Sequence, residues 1–417
     1  MTQRNKMRRG VLLRLYLAAT HLFALIARPI LRARLARGKE HPSRWDEKLG
    51  QSFAARPDGA LIWLHAVGLG EVLSLRGLIT QMARQRPDLS FLVTSTTRTS
   101  AEVFVRNLPP RTIHQFLPID APPYRRRFLD HFKPDLCVWV EQDIWPGFVS
   151  DAAARSIPQA IVAARMNPKS FRSHQKARSL YRDIYQQMRV VTAQDGATAE
   201  HLRKLGAQVS VTGSLKPAAP ALRHDPEEMI AVATLLSGRM VWAVAPSHPA
   251  DEAIARAAHV ILRQTNPSAL LIIAPRFPDR RDTFPTDMPR KSCGQAPNAT
   301  DPIWLCDTFG DLGLVYRLAQ AVLIGGTFDA TEGHNPWEAA NLNTAILHGP
   351  HTANFRDDFA QLDATQAALP VTTPDALAQA LTTTDLSNLA TRATASISAA
   401  TLRTQALAGD LIALLKG

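Results

Sequence analysis

The stretch that decides the fold is AVLIGGTFDATEGHNPWEAA, residues 321–340. It opens with the apolar run Ala321–Ile324, which predicts a buried parallel strand. Gly325 and Gly326 end that run, and a helix is predicted to begin with Pro336 at its first position. A strand, a glycine turn and a helix N-terminus are typical of an anion site, because glycine lets backbone N–H groups approach a phosphate and the helix dipole favours negative charge.

The end of the same stretch favours a nucleotide over a free anion. A Gly-Gly pair alone is more typical of an ordinary tight connection between a strand and a helix. Here Gly333-His334-Asn335 follows, and Glu338 lies one turn inside the predicted helix. A carboxylate at that position suits a pair of ribose hydroxyls, so we predict a nucleotide site.

Strands and helices alternate on both sides of this stretch, which implies parallel sheets covered by helices on both faces. We predict an α/β protein of two Rossmann-like, doubly wound domains that face a central cleft. The predicted strands are LIWLHAV (61–67), FLVTSTT (91–97), HQFLPI (114–119), DLCVWVE (135–141), QAIVAAR (159–165), VVTAQ (190–194), VSVTGS (209–214), MVWAVAPS (240–247), ALLIIAPR (269–276), IWLC (303–306) and AILHGP (345–350).

Composition shifts predict five segments along the chain. These are a basic, apolar anchor segment with a connector (1–50), a first Rossmann-like domain (51–216), a linker rich in proline and charge (217–228), a second Rossmann-like domain (229–387) and a C-terminal helix (388–417).

The charge distribution and the cysteine content limit the classes of protein to which this sequence can belong. The net charge is +12, and residues 1–50 supply +9 of it with twelve Lys/Arg and three acidic residues. The three cysteines show no Cys-x-x-Cys spacing, which argues against a disulfide framework or a zinc site and fits a reducing compartment. The histidines show no ligand-like spacing, so no metal and no cofactor are predicted.

The basic segment flanks an apolar stretch from Val11 to Ala27, broken mainly by Arg14 and His21. A basic arm can bind nucleic acid, but an apolar centre with basic ends favours a membrane. The alternative interpretation, a cleavable signal peptide, is disfavoured by the dense arginines that follow and by the absence of a clear small-residue cleavage site. The length is borderline between a spanning helix and one lying at the interface, so both remain open.

Polar residues follow the predicted strands, where ligands of such sheets bind. Glu71 follows a glycine turn, where it is either a first-turn acid that stabilises the helix or a general base. Glu141 ends an apolar strand, where a carboxylate is unexpected unless it is functional or caps a helix. Arg276 is either a phosphate ligand or a solvated strand end.

Two further positions also allow an ordinary structural interpretation. Ser247 and His248 lie in a turn between strand and helix, where they are either phosphate donors or a helix cap. Lys216 begins the linker and is either aimed into the cleft or solvated.

Together these residues resemble the 3-deoxy-D-manno-octulosonic acid (Kdo) transferases of lipopolysaccharide assembly, which are GT-B glycosyltransferases that use CMP-Kdo. The resemblance covers nearly the whole chain after residue 40. It is carried by IWLHAVGLGEVLSLRGLI, TSTTRTSAE, FLPID, VWVEQDIWP, VTGSLK, DTFGDLGLVY, IGGTFDATEGHNPWEAA and HGPHTANF.

The resemblance implies roles for matching positions. Glu71 would be the catalytic base that deprotonates an acceptor hydroxyl as it attacks the anomeric carbon of Kdo with inversion, and Glu141 would be a second acidic residue of the cleft. Lys216, Ser247 and His248 would lie near the phosphate and carboxylate of the donor. The positions that would hold CMP, with Glu338 on the ribose, are Arg276, Gly310, Leu312, Gly325, Gly326, Asn335 and Glu338.

Four positions depart from the family pattern. Gly68 replaces a serine, Asp143 a glutamate, Phe277 a histidine and Glu332 a glycine. Phe277 puts one nucleotide contact in doubt, and Glu332 places negative charge beside a predicted phosphate site.

The resemblance implies CMP-Kdo, a lipid A precursor and the anionic lipids of the inner membrane as partners, with no nucleic acid, and a location on the cytoplasmic face of that membrane. A GT-B transferase or epimerase acting on a UDP-sugar is the alternative. A dinucleotide oxidoreductase is disfavoured because the first turn has only Gly68-x-Gly70, and a non-catalytic scaffold would not need carboxylates at strand ends.

Overall fold

A computed structural model describes residues 10–415 of the chain. Part of the predicted basic segment, with Arg4, Lys6, Arg8 and Arg9, lies outside the described residues. The described chain divides into two compact units. Unit 1 contains the described residues up to Ala219 and those from Ala400 onward, and unit 2 contains Pro220–Ala399. The five-segment division stays a prediction.

Unit 1 is built on a parallel sheet with the strand order β3-β2-β1-β4-β5-β6-β7. Its strands are β1 (Leu61–His65), β2 (Ser90–Ser95), β3 (Thr112–Phe116), β4 (Leu136–Val140), β5 (Gln159–Ala164), β6 (Val190–Ala193) and β7 (Ser210–Val211). Its helices are α1 (Val11–Ala36), α2 (Leu69–Gln85), α3 (Arg98–Val105), α4 (Pro122–Phe132), α5 (Pro146–Ala154), α6 (Pro168–Lys176), α7 (Arg178–Tyr185) and α8 (Gly196–Lys204).

The apolar runs form central strands because both faces of the sheet are covered. In β1, Leu61 and Trp63 pack into one buried cluster, while Ile62 and Leu64 pack into another. Successive side chains of a strand point to opposite faces, so a continuous apolar run is needed where helices cover both.

Unit 2 repeats the pattern with the parallel order β10-β9-β8-β11-β12-β13. Its strands are β8 (Val241–Ser247), β9 (Leu270–Pro275), β10 (Ile303–Leu305), β11 (Ala321–Ile324), β12 (Ala345–His348) and β13 (Ala368–Pro370). Its helices are α9 (Pro226–Leu235), α10 (Pro249–Thr265), α11 (Leu312–Leu318), α12 (Trp337–Ala340), α13 (Arg356–Ala364), α14 (Pro374–Thr383) and the first part of α15 (Leu386–Ile412).

The predicted class of fold, two doubly wound parallel sheets, is confirmed. Local details differ from the sequence prediction. The connection between β5 and β6 holds two helices that meet at Ala177. Helix α9 begins inside the predicted linker, where the Asp225 carboxylate accepts hydrogen bonds from two backbone N–H groups of its first turn. The short strand β13 and helix α13 were not predicted, because no clear sequence pattern marks either element.

Both sheets reverse their order at one point, which is where α/β sheets bind ligands. In unit 1 this switch point lies between β1 and β4, and in unit 2 it lies between β8 and β11. Glu71 and Glu141 come after β1 and β4 respectively. His248 and Gly325 come after β8 and β11. The strand order therefore brings together residues that lie about 70 to 80 positions apart in the sequence.

The N-terminal helix α1 packs on α4, α5 and α7 of unit 1. Its contact is polar as well as apolar. The Tyr16 hydroxyl donates to Asp120 Oδ2 at 2.7 Å, and the same oxygen accepts the Gly147 N–H at 2.9 Å. Arg125, itself buried, donates to the other oxygen of Asp120 and to Asp151. Asp120 thus joins α1 to the start of α5.

We expect Asp120→Ala to lower the free energy of unfolding by about 3–5 kcal/mol, because it removes the shared acceptor of Tyr16, Gly147 and Arg125 and leaves buried donors unsatisfied. Urea denaturation of the purified chain measures it. Asp130→Ala is the matched control, since Asp130 is 58% exposed in its pair with Arg155 and should cost under about 1 kcal/mol. Equal losses for both variants would contradict the structural role of Asp120.

Candidate active site

Glu71 lies in the first turn of α2, directly after β1. Its Oε2 accepts the backbone N–H groups of Val67 at 3.0 Å and Gly68 at 3.2 Å. These bonds close a cap on the helix, which agrees with the first-turn interpretation. In the described part of the chain, Oε1 of Glu71 accepts no hydrogen bond from the protein. One carboxylate oxygen therefore holds the turn, and the other remains available to a substrate.

Glu141 follows β4 with a left-handed backbone, φ +58°. A non-glycine residue in this region is strained, and such strain is common at functional sites. Burial raises the pKa of the Glu141 carboxyl to about 7, and the negative charge of Glu71 adds to the rise, while Lys216 and Arg165 oppose it. A carboxyl with a pKa near 7 can exchange a proton at neutral pH.

Asp143, two residues further on, belongs to the same group of acids. Burial raises the pKa of Asp143, and the charge of Glu71 raises it further. Its neighbour Trp145 donates its indole N–H to His65 Nε2 at 3.2 Å. The loop after β4 is in this way tied to the end of β1.

His65 is a structural histidine rather than an acid or a base. Its Nε2 accepts from Trp145, so its Nδ1 carries the proton and donates to Thr94 Oγ1 at 2.8 Å. Burial lowers the pKa of His65 to about 3. The ring therefore stays neutral at physiological pH and leaves proton transfer to the carboxyls.

Gln194, after β6, lies near Glu141. Its amide N–H donates to the carbonyl of Ala163 at 3.0 Å, and its side chain is close enough to Glu141 to lower the pKa of that carboxyl. Ala163 lies where the register between β5 and β6 shifts, with φ +49°. Irregularities of this kind often redirect side chains next to active sites.

We expect Glu141→Gln to be more stable than wild type above pH 7, by about 1–3 kcal/mol, since one pKa unit corresponds to about 1.4 kcal/mol and the carboxyl is partly exposed. The pKa of Glu141 lies above its ordinary value of 4.5. Folding therefore favours the protonated form, and wild type loses stability between those two pKa values as the pH rises. Glutamine removes that loss.

Thermal melting of both proteins from pH 4 to pH 9 measures the difference. The exposed Glu332→Gln serves as the control for losing one surface carboxylate. A Glu141→Gln difference that does not change with pH would contradict the raised pKa.

In unit 2, the backbone N–H groups of Gly325 and Gly326, in the turn after β11, already have acceptors within the protein. The N–H of Gly326 donates to Asp251 Oδ2 at 2.7 Å, and those of His248 and Phe328 donate to the same carboxylate. The N–H groups of Gly333 and His334 donate to carbonyls within the loop. Asp251 thus occupies the position that an anion would take, which differs from the expectation that glycine amides cradle a phosphate.

The helix after this loop is also shorter than predicted. Helix α12 has four residues, and Pro336 is its N-cap rather than its first residue. A macrodipole sums over aligned peptide units, so a single turn contributes little. Side chains must therefore supply most of the attraction for a phosphate here. Gly325 remains necessary for packing, because a Cβ there would lie 1.8 Å from the carbonyl oxygen of Pro246.

Arg276 is the cation of this switch point. Its backbone N–H donates to the carbonyl of Ser247 at 2.9 Å, and its guanidinium lies 5.4 Å from the ring centroid of Phe277. Among the described residues, the guanidinium makes no hydrogen bond or ion pair. An arginine whose backbone is fixed and whose guanidinium is unpaired is suited to bind a phosphate or a carboxylate.

Glu338 lies beside Asn335 and Arg276. Asn335 Nδ2 donates to Glu338 Oε1 at 3.4 Å, and Asn335 Oδ1 accepts the N–H of Trp337 at 3.1 Å. Burial raises the pKa of Glu338, while the Asn335 hydrogen bond and the charge of Arg276 oppose the rise. The carboxylate is therefore anchored on one side, with a cation close by.

His248 and His334 stack, with ring centroids 5.1 Å apart and their Nε2 atoms 2.9 Å apart. Burial lowers the pKa of His334 to about 4, and the charges of His248 and Arg276 lower it further. Burial therefore favours the neutral form of the His334 ring. Ser247 is fully buried, and its hydroxyl donates to Glu252 at 2.9 Å, so that hydroxyl is engaged within the protein.

The remaining predicted positions are placed as follows. Gly310, with φ +100°, precedes Leu312, which begins α11 and packs partly on the core of unit 2. Lys216 lies in unit 1, near enough to Glu141 for its charge to lower the pKa of that carboxyl. Glu332 is exposed, so its charge points to solvent. No group of three or more metal-ligating side chains occurs among residues 10–415.

Sequence reasoning missed several residues of these two sites. Gln194 ends a predicted strand, so the strand-end rule alone would have identified it. Asp251 is also missed, because nothing in the local sequence indicates that its carboxylate binds a loop some 75 residues away.

Two units of this kind, each built on a doubly wound parallel sheet, are the GT-B fold. The structure is similar to a crystal structure of a glycosyltransferase from Rickettsia africae, with a TM-score of 0.52 and 10% identity over 85% of this chain and 99% of that one. It is also similar to a putative UDP-N-acetylglucosamine 2-epimerase from Listeria monocytogenes, with a TM-score of 0.50 and 11% identity over 79% and 90%. These likenesses show the fold alone.

The particular family follows from sequence. The family model described as 3-deoxy-D-manno-octulosonic-acid transferase matches residues 43–219. The 3-deoxy-D-manno-octulosonic acid transferase of Rickettsia bellii is 31% identical over 83% of this chain and 84% of its own length. The one from Haemophilus influenzae is 27% identical over 86% and 88%. The chain belongs to the Kdo transferase family, and the protein is a glycosyltransferase of lipopolysaccharide biosynthesis.

Proposed function

We propose that the protein transfers Kdo from CMP-Kdo to a hydroxyl group of a lipid A precursor, with inversion at the anomeric carbon, on the cytoplasmic face of the inner membrane. The observation that carries this proposal is a pair of carboxylates in unit 1 of a family member: Glu71 follows β1 and Glu141 follows β4. They are close enough for the charge of Glu71 to raise the pKa of Glu141. The hydroxyl group that receives Kdo must lose its proton as it attacks, and a carboxylate of this pair can take that proton.

Unit 1 provides the base. Oε1 of Glu71 takes the proton of the acceptor hydroxyl, while Oε2 stays bound to the turn at Val67 and Gly68. The acceptor oxygen forms its bond to the anomeric carbon of Kdo as the bond from that carbon to the CMP phosphate oxygen breaks. The electron pair leaves with CMP, and a single displacement of this type inverts the configuration.

Unit 2 holds the donor. Glu338, anchored by Asn335, accepts hydrogen bonds from the ribose of CMP. Arg276 offers an unpaired guanidinium to the phosphate, whose negative charge grows as the bond breaks. His248 and His334 add imidazole donors beside it. These side chains replace the backbone amides that Asp251 occupies.

The membrane location rests on α1. Within residues 10–415, α1 is the one helix long and apolar enough to cross a bilayer by length and composition. A lipid acceptor and a membrane-associated enzyme belong together, because the acceptor's acyl chains remain in the bilayer while its sugar is modified.

The test is mass spectrometry of the lipid formed by the purified protein from CMP-Kdo and a lipid A precursor. A product heavier by Kdo supports the proposal, and the anomeric configuration read by NMR tests inversion. CMP should compete with the donor, and UDP should not. No Kdo-bearing lipid, with competition by UDP instead, would favour a UDP-sugar enzyme.

A further inference from the structure

Helix α1 divides into three stripes along its whole length. At about 100° per residue, positions separated by 7, 7 and 4 fall on one line of a helix. The buried residues follow this spacing at Leu13, Thr20, Ala27 and Leu31. Four exposed basic residues follow the same spacing, one position later: Arg14, His21, Arg28 and Arg32.

The third stripe is apolar and exposed. Its residues cover an arc of about 160° on the side away from the buried stripe. Leu22 is 62% exposed and Leu25 is 75% exposed. The full set is Val11, Leu12, Leu15, Leu22, Phe23, Leu25, Ile26 and Ile30. An apolar face of this size on a helix that already buries another face calls for a partner.

The buried stripe is held to unit 1 along its length. Besides Tyr16 on Asp120, the backbone N–H of Gly10 donates to Asp183 at 2.7 Å, and the Tyr124 hydroxyl donates to the carbonyl of Ala24 at 3.0 Å. From Leu13 to Leu31 this contact runs about 27 Å at 1.5 Å per residue.

This attachment excludes a spanning orientation. A helix that crosses a bilayer while attached in this way would carry α4 and α5 into the hydrocarbon with it. Helix α4 alone bears exposed Arg126 and Arg127, whose charges are costly there. His21 would also lie near the middle of the membrane, with arginines on both sides of it.

We propose that α1 lies flat in the interface of an anionic bilayer as a fixed part of unit 1. Its apolar stripe enters the acyl region, and its basic stripe runs beside the phosphate headgroups. The charges identify the occupant: a row of cations parallel to an apolar face matches the boundary between headgroups and acyl chains. The inference deepens the membrane location proposed above.

The first experiment measures binding of the purified full chain to vesicles of phosphatidylcholine with and without phosphatidylglycerol. We expect binding to the anionic vesicles, weakened roughly a hundredfold by the triple variant Arg14→Gln, Arg28→Gln, Arg32→Gln. The control removes three exposed arginines elsewhere, with Arg84→Gln, Arg281→Gln and Arg392→Gln, and should bind as wild type does. Equal loss in both variants overturns the role of the basic stripe.

The apolar stripe is tested by the pair Leu22→Asp and Ile26→Asp. Both side chains are exposed, so the melting temperature should not change while vesicle binding is lost. A full chain that binds neither kind of vesicle overturns the proposal and leaves the apolar face for a protein partner.

The orientation is tested by single cysteines in a Cys293→Ser background, labelled by a membrane-impermeant maleimide on vesicles. We expect Arg14→Cys, His21→Cys and Arg28→Cys to react at similar rates, and Leu15→Cys, Leu22→Cys and Ile26→Cys to be protected. Protection of His21→Cys together with Leu22→Cys, and reaction only near the helix ends, would show a spanning helix. None of these experiments measures Kdo transfer, so the interfacial orientation of α1 and the proposed function can each be disproved without the other.

Discussion

Glu71→Gln is expected to lower the rate of Kdo transfer by about 10²–10⁴-fold, the usual contribution of a general base. Glutamine keeps the size of the side chain and can still accept the N–H groups of Val67 and Gly68, so the cap on α2 should survive. It cannot take a proton. Affinity for CMP should not change, because the residues proposed to hold CMP lie in unit 2. Single-turnover rates and calorimetry with CMP measure the two quantities.

The competing role of Glu71, stabilising the first turn of α2, makes a different prediction. It implies a stability loss of about 0.3–1 kcal/mol with near-normal turnover. Melting temperature and transfer rate on the same preparation therefore decide between the two. Glu141→Gln is the matched carboxylate variant. If it alone abolishes transfer while Glu71→Gln transfers at the wild-type rate, Glu141 is the base.

The titration of Glu141 depends on the charge of Glu71. The charge of Glu71 contributes to the raised pKa of Glu141, so Glu71→Gln should also move the titration of Glu141 toward lower pH. Direct measurement of that titration by NMR would show whether the two groups are coupled.

Glu338→Ala is expected to weaken CMP binding roughly ten- to a hundredfold, because a hydrogen bond to a charged group contributes about 1.5–3 kcal/mol. The chemical step, measured at saturating CMP-Kdo, should change less than the affinity. Calorimetry with CMP and single-turnover kinetics separate the two effects. This prediction rests on the surroundings of the Glu338 carboxylate, which Asn335 orients and Arg276 neutralises in part.

Glu332→Ala is the control for Glu338→Ala. Glu332 lies in the same loop and carries the same charge, but it is exposed, so its removal should leave CMP affinity nearly unchanged. Unchanged affinity in Glu338→Ala, or an equal loss in both variants, would remove Glu338 from the nucleotide site.

The sequence by itself determined the two sheets and their family. Runs such as LIWL (61–64) and AVLI (321–324) are apolar at every position, as expected where helices cover both faces of a strand. That local pattern requires no knowledge of distant residues. Polar side chains at the ends of such runs also marked both switch points, because parallel strands present their carboxyl ends at one edge.

The tertiary structure alone decided what those polar residues can do. The pKa of Glu141 is raised because β1 and β4 are neighbours and bring Glu71 close to it, and no local pattern states which strands pair. Asp251 accepts the backbone N–H of Gly326 in the turn after β11, a contact between residues 75 positions apart that no local pattern indicates.

The same holds for the N-terminal helix. Composition predicted a membrane segment but left spanning and interfacial orientations open, since both have similar apolar content. The position of Asp120 settled which face of α1 is covered, through a hydrogen bond between residues 104 positions apart. Burial and charge in this protein depend on such long-range contacts, whereas strand and helix formation depend mainly on the order of residues along the chain.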